Sequence, residues 1–314
     1  MVLSRRTTLG LLGSALLAAC SKGGERVLRV GSQRGGTKAM MEASGKLAGL
    51  PFPVEWAEFP AAQHLLEALG AGAVDLGAVG DAPFLFAYEG GSPIKSVQAT
   101  RYEPRNAAST VLVPKNSPIR AVAQLAGKKV ATGRGSAGHF LLLRALERAR
   151  VDPRSVEIIF LPPGDAKSAF ASGSVDAWST WNPYAGAAIL HDGARAIADG
   201  RDLVTGYGFF VANENSIAGK RELIAPFLGR YAEAQRWASD NTDAFAAVLG
   251  RETGLPPDLA RYFADRGLTA VRTDAQLIDL QRSVLTTFER AGAAEAKRPI
   301  EAAFDTSFDS ALPA

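Results

Sequence analysis

The sequence predicts an α/β protein of two related lobes with a ligand cleft between them. Apolar strand-like runs alternate with helical patterns through most of the chain, and the order of these runs recurs about 100 residues later. The 314 residues are 47% hydrophobic and 21% charged, which is typical of a packed globular protein of about two domains. The formal charge of +3 is too small to indicate nucleic-acid binding.

The first lobe follows from three buried-strand patterns in the first quarter of the chain. Residues 27–31, 54–59 and 76–80 have strand-like patterns, and each is followed by a turn and the start of a helix. This βαβαβ order predicts a parallel sheet with flanking helices.

A second set of the same landmarks predicts the second lobe. Residues 28–35 resemble residues 128–135, and residues 54–60 resemble residues 156–162. The turn that ends in Asp75 resembles the turn that ends in Asp176, so we expect structural roles for both carboxylates. The alternative explanation is that these matches are turn and strand-end patterns that occur in α/β proteins generally.

The remaining segments set the predicted domain boundaries. Strand-like residues 109–113 and 209–212 flank the second lobe and are interpreted as the crossovers. Residues 221–238, 256–267 and 273–291 have helical patterns without a strand set of their own, so we expect this tail to pack on lobe one. Lobe one would comprise residues 27–112 and 212–314, and lobe two residues 113–211.

The N-terminus has the pattern of a bacterial lipoprotein signal. Arg5 and Arg6 precede an apolar run that is too short to span a bilayer and that ends at Cys20, the only cysteine. We expect residues 1–19 to be cleaved, Cys20 to be lipidated, and residues 20–26 to form a tether. The two arginines partly match a twin-arginine signal, so the export route stays open.

The glycine-rich segment 133–139 follows a strand-like run and begins an apolar-striped helix. Such a turn leaves backbone N–H groups unpaired at the positive end of the helix dipole, which favours an anion. We expect Ser136 to cap the helix and His139 to line the cleft. Trp181 and Phe209 lie near the cleft loops as candidate aromatic walls.

Catalytic and cofactor alternatives lack the residues they need. Gly133, Gly135 and Gly138 match a dinucleotide fingerprint, but the acidic residue Glu157 begins the next strand instead of ending it. The three histidines have no metal-binding spacing, and Ser136 has no nucleophile elbow around it. An exported hydrolase or oxidoreductase is therefore a remote alternative, and we expect no cofactor and no metal.

Several runs together resemble the solute-binding proteins of ABC importers for aliphatic sulfonates, a group related to taurine, nitrate and thiamine-precursor binders. These runs are residues 58–60, 80–83, 112–119, 135–136, 161–166, 169–178 and 181–184. The resemblance implies the type II periplasmic-binding fold, closure by a hinge motion, and delivery of the solute to an ABC permease. It also implies a monomeric protein that serves sulfur acquisition at the cell envelope.

The resemblance further implies the residues that contact the ligand. They are Gln33, Asp81, Ala82, Gly135, Ser136, Ala137, Gly138 and His139 for the sulfonate head, and Trp181 for its organic tail. Taurine, nitrate or a thiamine-precursor-like ligand in the same fold is the nearest alternative.

Overall fold

A computed structural model of the protein describes residues 26–33, 36–103 and 108–312. The predicted signal peptide, Cys20 and most of the tether lie outside the described residues. The strands are β1 (Leu28–Gln33), β2 (Val54–Phe59), β3 (Leu76–Gly80), β4 (Ile94–Tyr102), β5 (Ser109–Val113), β6 (Lys129–Thr132), β7 (Glu157–Phe160), β8 (Ala177–Trp181), β9 (Arg195–Asp199), β10 (Tyr207–Asn213) and β11 (Leu268–Val271).

The helices flank these strands and make up most of the tail. They are α1 (Thr37–Ala43), α2 (Ala62–Gly70), α3 (Asp81–Glu89), α4 (Ala137–Arg148), α5 (Pro163–Ala171), α6 (Tyr184–Leu190), α7 (Glu214–Asp240), α8 (Thr242–Thr253), α9 (Pro257–Ala264) and α10 (Ala275–Arg290). In the part of the chain that the structure describes, no helix is both long enough and apolar enough to cross a membrane.

The strands form two mixed sheets, one in each lobe. The lobe-one sheet has the order β11-β4-β10-β3-β1-β2, and the lobe-two sheet has the order β7-β6-β8-β5-β9. In both sheets three parallel strands are followed by an antiparallel one, β10 against β3 and β5 against β8. The predicted two-lobe α/β fold is confirmed.

The internal repeat is visible in the strand register. Leu28 lies opposite Val54 in lobe one, and Lys129 lies opposite Glu157 in lobe two, as the sequence alignment of the two halves requires. In the same way, Val30 pairs with Leu76, and Val130 pairs with Ala177. The two halves therefore share strand order and register.

The repeated aspartates are structural, as expected. The Arg29 N–H donates to Asp75 Oδ2 at 2.8 Å, and the Lys129 N–H donates to Asp176 Oδ2, also at 2.8 Å. Each carboxylate therefore fastens the turn before the third parallel strand of its sheet to the first strand. Gly72 makes the lobe-one turn possible, because its φ of 70° is a conformation that side chains disfavour.

The strands at the predicted boundaries belong to the opposite lobes from those expected. The boundary after residue 112 falls inside β5, which lies wholly in the lobe-two sheet, and the boundary after residue 211 falls inside β10, in the lobe-one sheet. We therefore propose that the chain crosses between the lobes before each of these strands, once after β4 and once after β9. Each of these strands pairs antiparallel with the third parallel strand of its sheet, which the repeat did not reveal.

The tail packs on lobe one but is not wholly helical. β11 adds to the edge of the lobe-one sheet beside β4, where the sequence patterns predict no strand. The cap of α10 is Asp274, whose carboxylate accepts the Leu277 N–H at 2.8 Å. Phe227 and Phe288, both fully buried, anchor α7 and α10 on opposite parts of the lobe-one core.

Candidate functional site

A cavity of about 780 Å³ lies between the two lobes, at the carboxyl ends of the parallel strands. Ligands of open α/β sheets bind at this edge, and the volume is within the range of sites for drug-sized ligands. Of the ten predicted ligand contacts, five line this cavity: Gln33, Asp81, Ser136, Ala137 and Trp181.

The loop that begins α4 is held by its own side chains. Ser136 has extended backbone angles (φ −82°, ψ 169°), and its Oγ accepts the His139 N–H at 3.1 Å. The predicted cap is confirmed. Gly135 has a φ of 63°, and a Cβ built on it would lie 2.4 Å from Cδ1 of Phe86. Glycine is therefore required both by the turn and by the close approach of lobe one.

Three of the predicted amide donors in this loop are already engaged. The Gly135 N–H donates to His139 Nδ1 at 3.2 Å, the Ser136 N–H donates to the Gly133 carbonyl at 3.1 Å, and the His139 N–H donates to Ser136 Oγ. Within the described parts of the chain, the Ala137 N–H has no protein acceptor, because it is the first residue of α4. Ala137 therefore presents the unpaired donor at the cleft.

His139 does not line the cleft, contrary to the prediction. It is 2% exposed, and its ring packs against Phe160 and Phe288 at centroid distances of 4.9 and 5.4 Å. Burial, together with the nearby Arg134 charge, lowers the pKa of His139 to about 4. The ring is therefore neutral at pH 7, with Nδ1 as the acceptor that holds Gly135.

Gly138 is also a packing residue and not part of the cavity wall. A Cβ at this position would lie 2.4 Å from the carbonyl oxygen of Ser179, and the Ser179 hydroxyl donates to the Gly138 carbonyl at 2.6 Å. The absence of a side chain lets the start of α4 lie directly on β8. The sequence indicated a glycine-rich turn but not this separate reason for the last glycine.

Asp81 begins α3 and occupies the start of that helix with its own carboxylate. Oδ1 accepts the Ala82 N–H at 2.6 Å, and Oδ2 accepts the Thr205 hydroxyl. Burial raises the pKa of Asp81 to about 6 in spite of these hydrogen bonds. The amide of Ala82 therefore has a partner within the protein, and the Ala82 side chain is fully buried away from the cleft.

Gln33 and Trp181 reach the cavity from the two sheets. Gln33 ends β1, and its Nε2 donates to the Ala78 carbonyl at 2.9 Å, which fixes the amide beside the strand ends. Trp181 ends β8, and its ring makes an edge-to-face contact with the Tyr184 ring at a centroid distance of 6.0 Å. Both side chains are half-buried at the cleft, as the sequence predicted.

Phe209 is a core residue, so its prediction as a cleft wall is wrong. It is 1% exposed and packs between Phe84 and Phe304, each at a centroid distance of 5.5 Å. β10 is buried on both faces, so its apolar run gave no indication of which residues point toward the cleft.

Polar contacts between described residues join the lobes around the cleft. The Tyr184 hydroxyl donates to the Pro60 carbonyl and Gln63 Nε2 donates to the Arg134 carbonyl, both at 3.2 Å. At another edge, His191 Nε2 lies 3.1 Å from Asp258 Oδ2. These contacts hold the two lobes against each other in the arrangement described.

The tail supplies a cleft wall that sequence reasoning missed. Residues 253–256 and the side chains of Leu259, Tyr262 and Phe263 line the cavity from α8, α9 and the loop between them. Leu255, Leu259 and Phe263 have i, i+4 spacing, which indicates a buried helix face but does not show what the face covers. The described residues hold no cluster of three or more potential metal ligands from His, Cys, Asp and Glu.

Comparison with known proteins identifies the family. The NMT1/THI5-like family model matches residues 54–244. The chain is 35% identical to an aliphatic sulfonates-binding protein of Escherichia coli (strain K12) over 284 residues, which cover 89% of this chain and 88% of that protein. The chain belongs to the NMT1/THI5-like family. The predicted likeness to aliphatic sulfonate-binding proteins is confirmed.

Solved structures of two such proteins share the fold. The alkanesulfonate-binding protein SsuA from Xanthomonas axonopodis pv. citri, bound to MOPS, has a TM-score of 0.80 and 30% identity, covering 89% of this chain and 98% of that chain. The periplasmic aliphatic sulphonate binding protein SsuA from Escherichia coli has a TM-score of 0.76 and 33% identity, covering 88% of this chain and 91% of that chain. This family member is therefore a solute-binding protein of the periplasmic type and not an enzyme.

Proposed function

We propose that the protein captures aliphatic sulfonates in the cleft between its lobes and delivers them to an ABC permease. The observation that carries the proposal is the first-turn N–H of Ala137, which lines the cleft at the positive end of the 12-residue helix α4 without a protein acceptor among the described residues. Two relatives support the choice of anion: the aliphatic sulfonates-binding protein of Escherichia coli and the alkanesulfonate-binding protein bound to MOPS.

The contrast between α3 and α4 indicates where the anion binds. The first turn of α3 carries the Asp81 carboxylate, which accepts the Ala82 N–H and would repel a second anion. The first turn of α4 carries no acidic residue. We therefore place the sulfonate head against Ala137, with the Ser136 hydroxyl and Gln33 within the same cleft.

Hydrogen bonds alone can supply the affinity that capture requires. A sulfonate is ionised throughout the physiological pH range, and each hydrogen bond to a charged group contributes about 1.5–3 kcal/mol. Three or four such bonds, less the costs of desolvation and ordering, reach the roughly −8 kcal/mol of micromolar binding.

A proline substitution tests the amide donor. Proline fits the first position of a helix, and Ser136 already has the extended angles that a following proline requires, so Ala137→Pro should remove the N–H and leave α4 intact. We expect alkanesulfonate affinity to fall about 10- to 100-fold by calorimetry. The matched control is Ala275→Pro, at the first position of α10 after an extended Asp274. Equal affinity in both variants would refute the proposed anion position.

A ligand panel tests the ligand class. Ethanesulfonate and hexanesulfonate should raise the melting midpoint more than taurine does, because a ligand that binds only the native state stabilises it, whereas nitrate, sulfate and a pyrimidine should not raise it. A shift with taurine, nitrate or the pyrimidine but with neither alkanesulfonate would replace the proposed function by the alternative ligand.

We also propose that the mature protein is a monomer that lies outside the cytoplasm and is anchored to a membrane by lipid on Cys20. We further propose a role in sulfur acquisition. The N-terminal pattern that ends at Cys20 supports the anchor. Cys20→Ser should move the protein from the membrane fraction to the soluble periplasmic or culture fraction. Continued membrane association of this variant, after a salt wash that removes peripheral proteins, would contradict lipid anchoring.

A further inference from the structure

The cleft carries a buried carboxylate near the proposed anion position. Asp81 is 6% exposed and lines the same cavity as Ser136 and Ala137. The starts of α3 and α4 lie close together, because a Cβ on Gly135 would lie 2.4 Å from Cδ1 of Phe86, in the second turn of α3. An anion at Ala137 would therefore share one cavity with the Asp81 carboxylate, and like charges repel each other strongly where water is scarce.

Both carboxylate oxygens of Asp81 accept hydrogen bonds from neutral donors. Oδ1 accepts the Ala82 N–H at 2.6 Å, and Oδ2 accepts the hydroxyl of Thr205, in the segment that joins β9 to β10. Among the described residues, hydrogen bonds lower the pKa of Asp81 and no cation does so. Burial outweighs these hydrogen bonds and raises the pKa to about 6, so Asp81 takes up a proton under mildly acidic conditions.

Thr205 allows Asp81 to change its protonation state without losing its partner. A threonine hydroxyl both donates and accepts hydrogen bonds, and its oxygen has two lone pairs. One lone pair of Thr205 Oγ1 accepts the Tyr207 N–H at 3.3 Å. The other is available to a protonated Asp81 carboxyl, which would then donate to the threonine. The segment between the lobes therefore stays attached to the start of α3 in both protonation states.

Most titratable groups around Asp81 keep one protonation state between pH 5 and pH 8. Those on neighbouring elements are His64 and Glu67 of α2, Tyr102 of β4, Glu103, Arg134, His139 of α4, Arg201, Asp202, Tyr207 of β10, Arg266, and Glu289 and Arg290 of α10. Tyrosine, arginine and acidic side chains ordinarily titrate outside this range. Burial raises the pKa of Tyr102 further and lowers the pKa of His139 to about 4.

The other two histidines differ in their position relative to the cavity. His191 lines it at the contact with Asp258, whereas His64 does not line it. Histidine side chains ordinarily titrate between pH 5 and pH 8, so an effect of Asp81 must be separated from one of His191.

The repulsion is large enough to measure. Two like charges about 10 Å apart, at an effective dielectric constant of about 20, repel with an energy that corresponds to roughly tenfold in affinity. An anion that binds more tightly when Asp81 is neutral also favours the neutral form of Asp81, because linkage between two binding events is reciprocal.

We propose that capture of a sulfonate is coupled to uptake of a proton by Asp81, so that the cleft binds its ligand more tightly at pH 5 than at pH 8. The inference rests on the proposed function and adds regulation by pH to it. The proton removes a like charge from the cavity, while Thr205 holds the carboxyl group in place. Closure around a ligand acts in the same direction, because it removes water from the carboxylate.

The experiment is a titration of ethanesulfonate at pH 5, 6.5 and 8 in buffers without a sulfonate group. Affinity should be about tenfold higher at pH 5 than at pH 8. Calorimetry at pH 6.5 in cacodylate and in bis-tris, whose ionisation enthalpies differ, should show uptake of about half a proton per ligand. Binding without proton uptake at pH 6.5 would overturn the inference.

Two variants assign the proton to its group. Asp81→Asn keeps an oxygen for the Ala82 N–H and cannot titrate, so its affinity should not change with pH and should match that of the parent at pH 5 within about twofold. His191→Gln is the matched control and should keep the pH dependence of the parent. A pH dependence that is lost in His191→Gln and kept in Asp81→Asn would overturn the inference.

Thr205 provides a test that does not require Asp81→Asn to fold. Thr205→Val removes the hydroxyl that lowers the pKa of Asp81, so the rise in affinity should move to higher pH, whereas Thr205→Ser should keep the parent profile. An unmoved profile in Thr205→Val, with ethanesulfonate still bound, would overturn the inference and leave the proposed function in place. Absence of binding by every alkanesulfonate at every pH would instead refute the proposed function.

Discussion

The two halves of the internal repeat share one strand order, but the repeated aspartate has a different role in each half. In each half, an aspartate before the third parallel strand accepts the backbone N–H of the first strand at 2.8 Å. Asp176 is half-buried and makes this contact at the surface of lobe two. Asp75 is fully buried, and its carboxylate also accepts hydrogen bonds from the side chains of Lys220, Ser216 and Arg29.

The difference shows how the tail is attached. Lys220 and Ser216 belong to α7, so in lobe one the repeated aspartate also fixes the returning chain to the sheet. Burial alone would raise the pKa of Asp75, but hydrogen bonds from Lys220, Arg29 and Ser216 outweigh it and lower the pKa. Lobe two has no returning tail to attach, and among the described residues Asp176 accepts a hydrogen bond from the Lys129 N–H of its own sheet.

The largest expected effect comes from removing the charge of Asp75. Asp75→Asn would leave Lys220, which is 19% exposed, beside a neutral amide, and breaking a buried ion pair costs about 3–5 kcal/mol. Asp176→Asn is the matched control and should cost about 1 kcal/mol or less. Urea unfolding of both variants measures the difference, and equal losses would show that the two aspartates have equivalent roles.

The glycine at the start of the α4 loop should be the next most sensitive position. Gly135→Ala places a Cβ at a φ of 63° and 2.4 Å from the Phe86 ring, so we expect a loss of about 3 kcal/mol. Thermal unfolding of the single variant and of the double variant with Phe86→Ala separates the two causes. The double variant should recover the steric part, and an additive further loss would contradict the contact between the lobes.

Buried titratable groups near the starts of α3 and α4 should give opposite pH dependences of stability. His139 takes up a proton near 6.5 when unfolded but only at about 4 when folded, so acidification from pH 7 to pH 5 should destabilise the fold by about 2 kcal/mol. Asp81 takes up a proton near 3.8 when unfolded and at about 6 when folded, so the same change should stabilise by about 1 kcal/mol.

Two substitutions separate these opposing contributions. Asp81→Asn should make stability fall more steeply between pH 7 and pH 5 than in the parent protein, by about the 1 kcal/mol that Asp81 contributes. His139→Asn keeps an acceptor for the Gly135 N–H and should make the protein more stable at pH 5 than at pH 7. Urea titrations at both pH values are the measurement, and unchanged pH profiles would contradict the assigned groups.

The smallest expected effect is at the contact between α6 and α9. His191 and Asp258 are 36% and 59% exposed, and exposed ion pairs contribute no more than about 1 kcal/mol. Asp258→Asn should therefore weaken ligand binding less than about fivefold, with Asp243→Asn as a control on the adjacent helix. A tenfold or larger loss would mean that this contact, and not the apolar packing of Leu259, dominates closure.

Patterns of local sequence were sufficient for the three parallel strands of each sheet and for part of the cleft. The repeated turns fixed the register of both halves, and Ser136, which precedes an apolar-striped helix, was recognisable as a cap. Gln33, Asp81 and Trp181 reach the cleft because each lies at or directly after a strand end, which is a position that the sequence shows.

The remaining features depend on tertiary packing. β10 is apolar along most of its length because both faces of its sheet are covered. The sequence therefore does not show whether Phe209 points toward the cleft or into the core. His139 becomes an acceptor for Gly135 only because Phe160 and Phe288 bury it in a neutral form. The wall at Leu255 and Leu259 depends on the position of the tail relative to α6, which no local pattern encodes.

The interior position of β10 sets the order in which the molecule can assemble. All strands of the lobe-two sheet lie within residues 109–199, so this sheet can form without any later part of the chain. β4 cannot join β3 until β10, at residues 207–213, has entered between them. In a chain that emerges from its N-terminus, lobe one therefore begins first and is completed last. Its sheet needs β10 and β11, which follow all the strands of lobe two in the sequence.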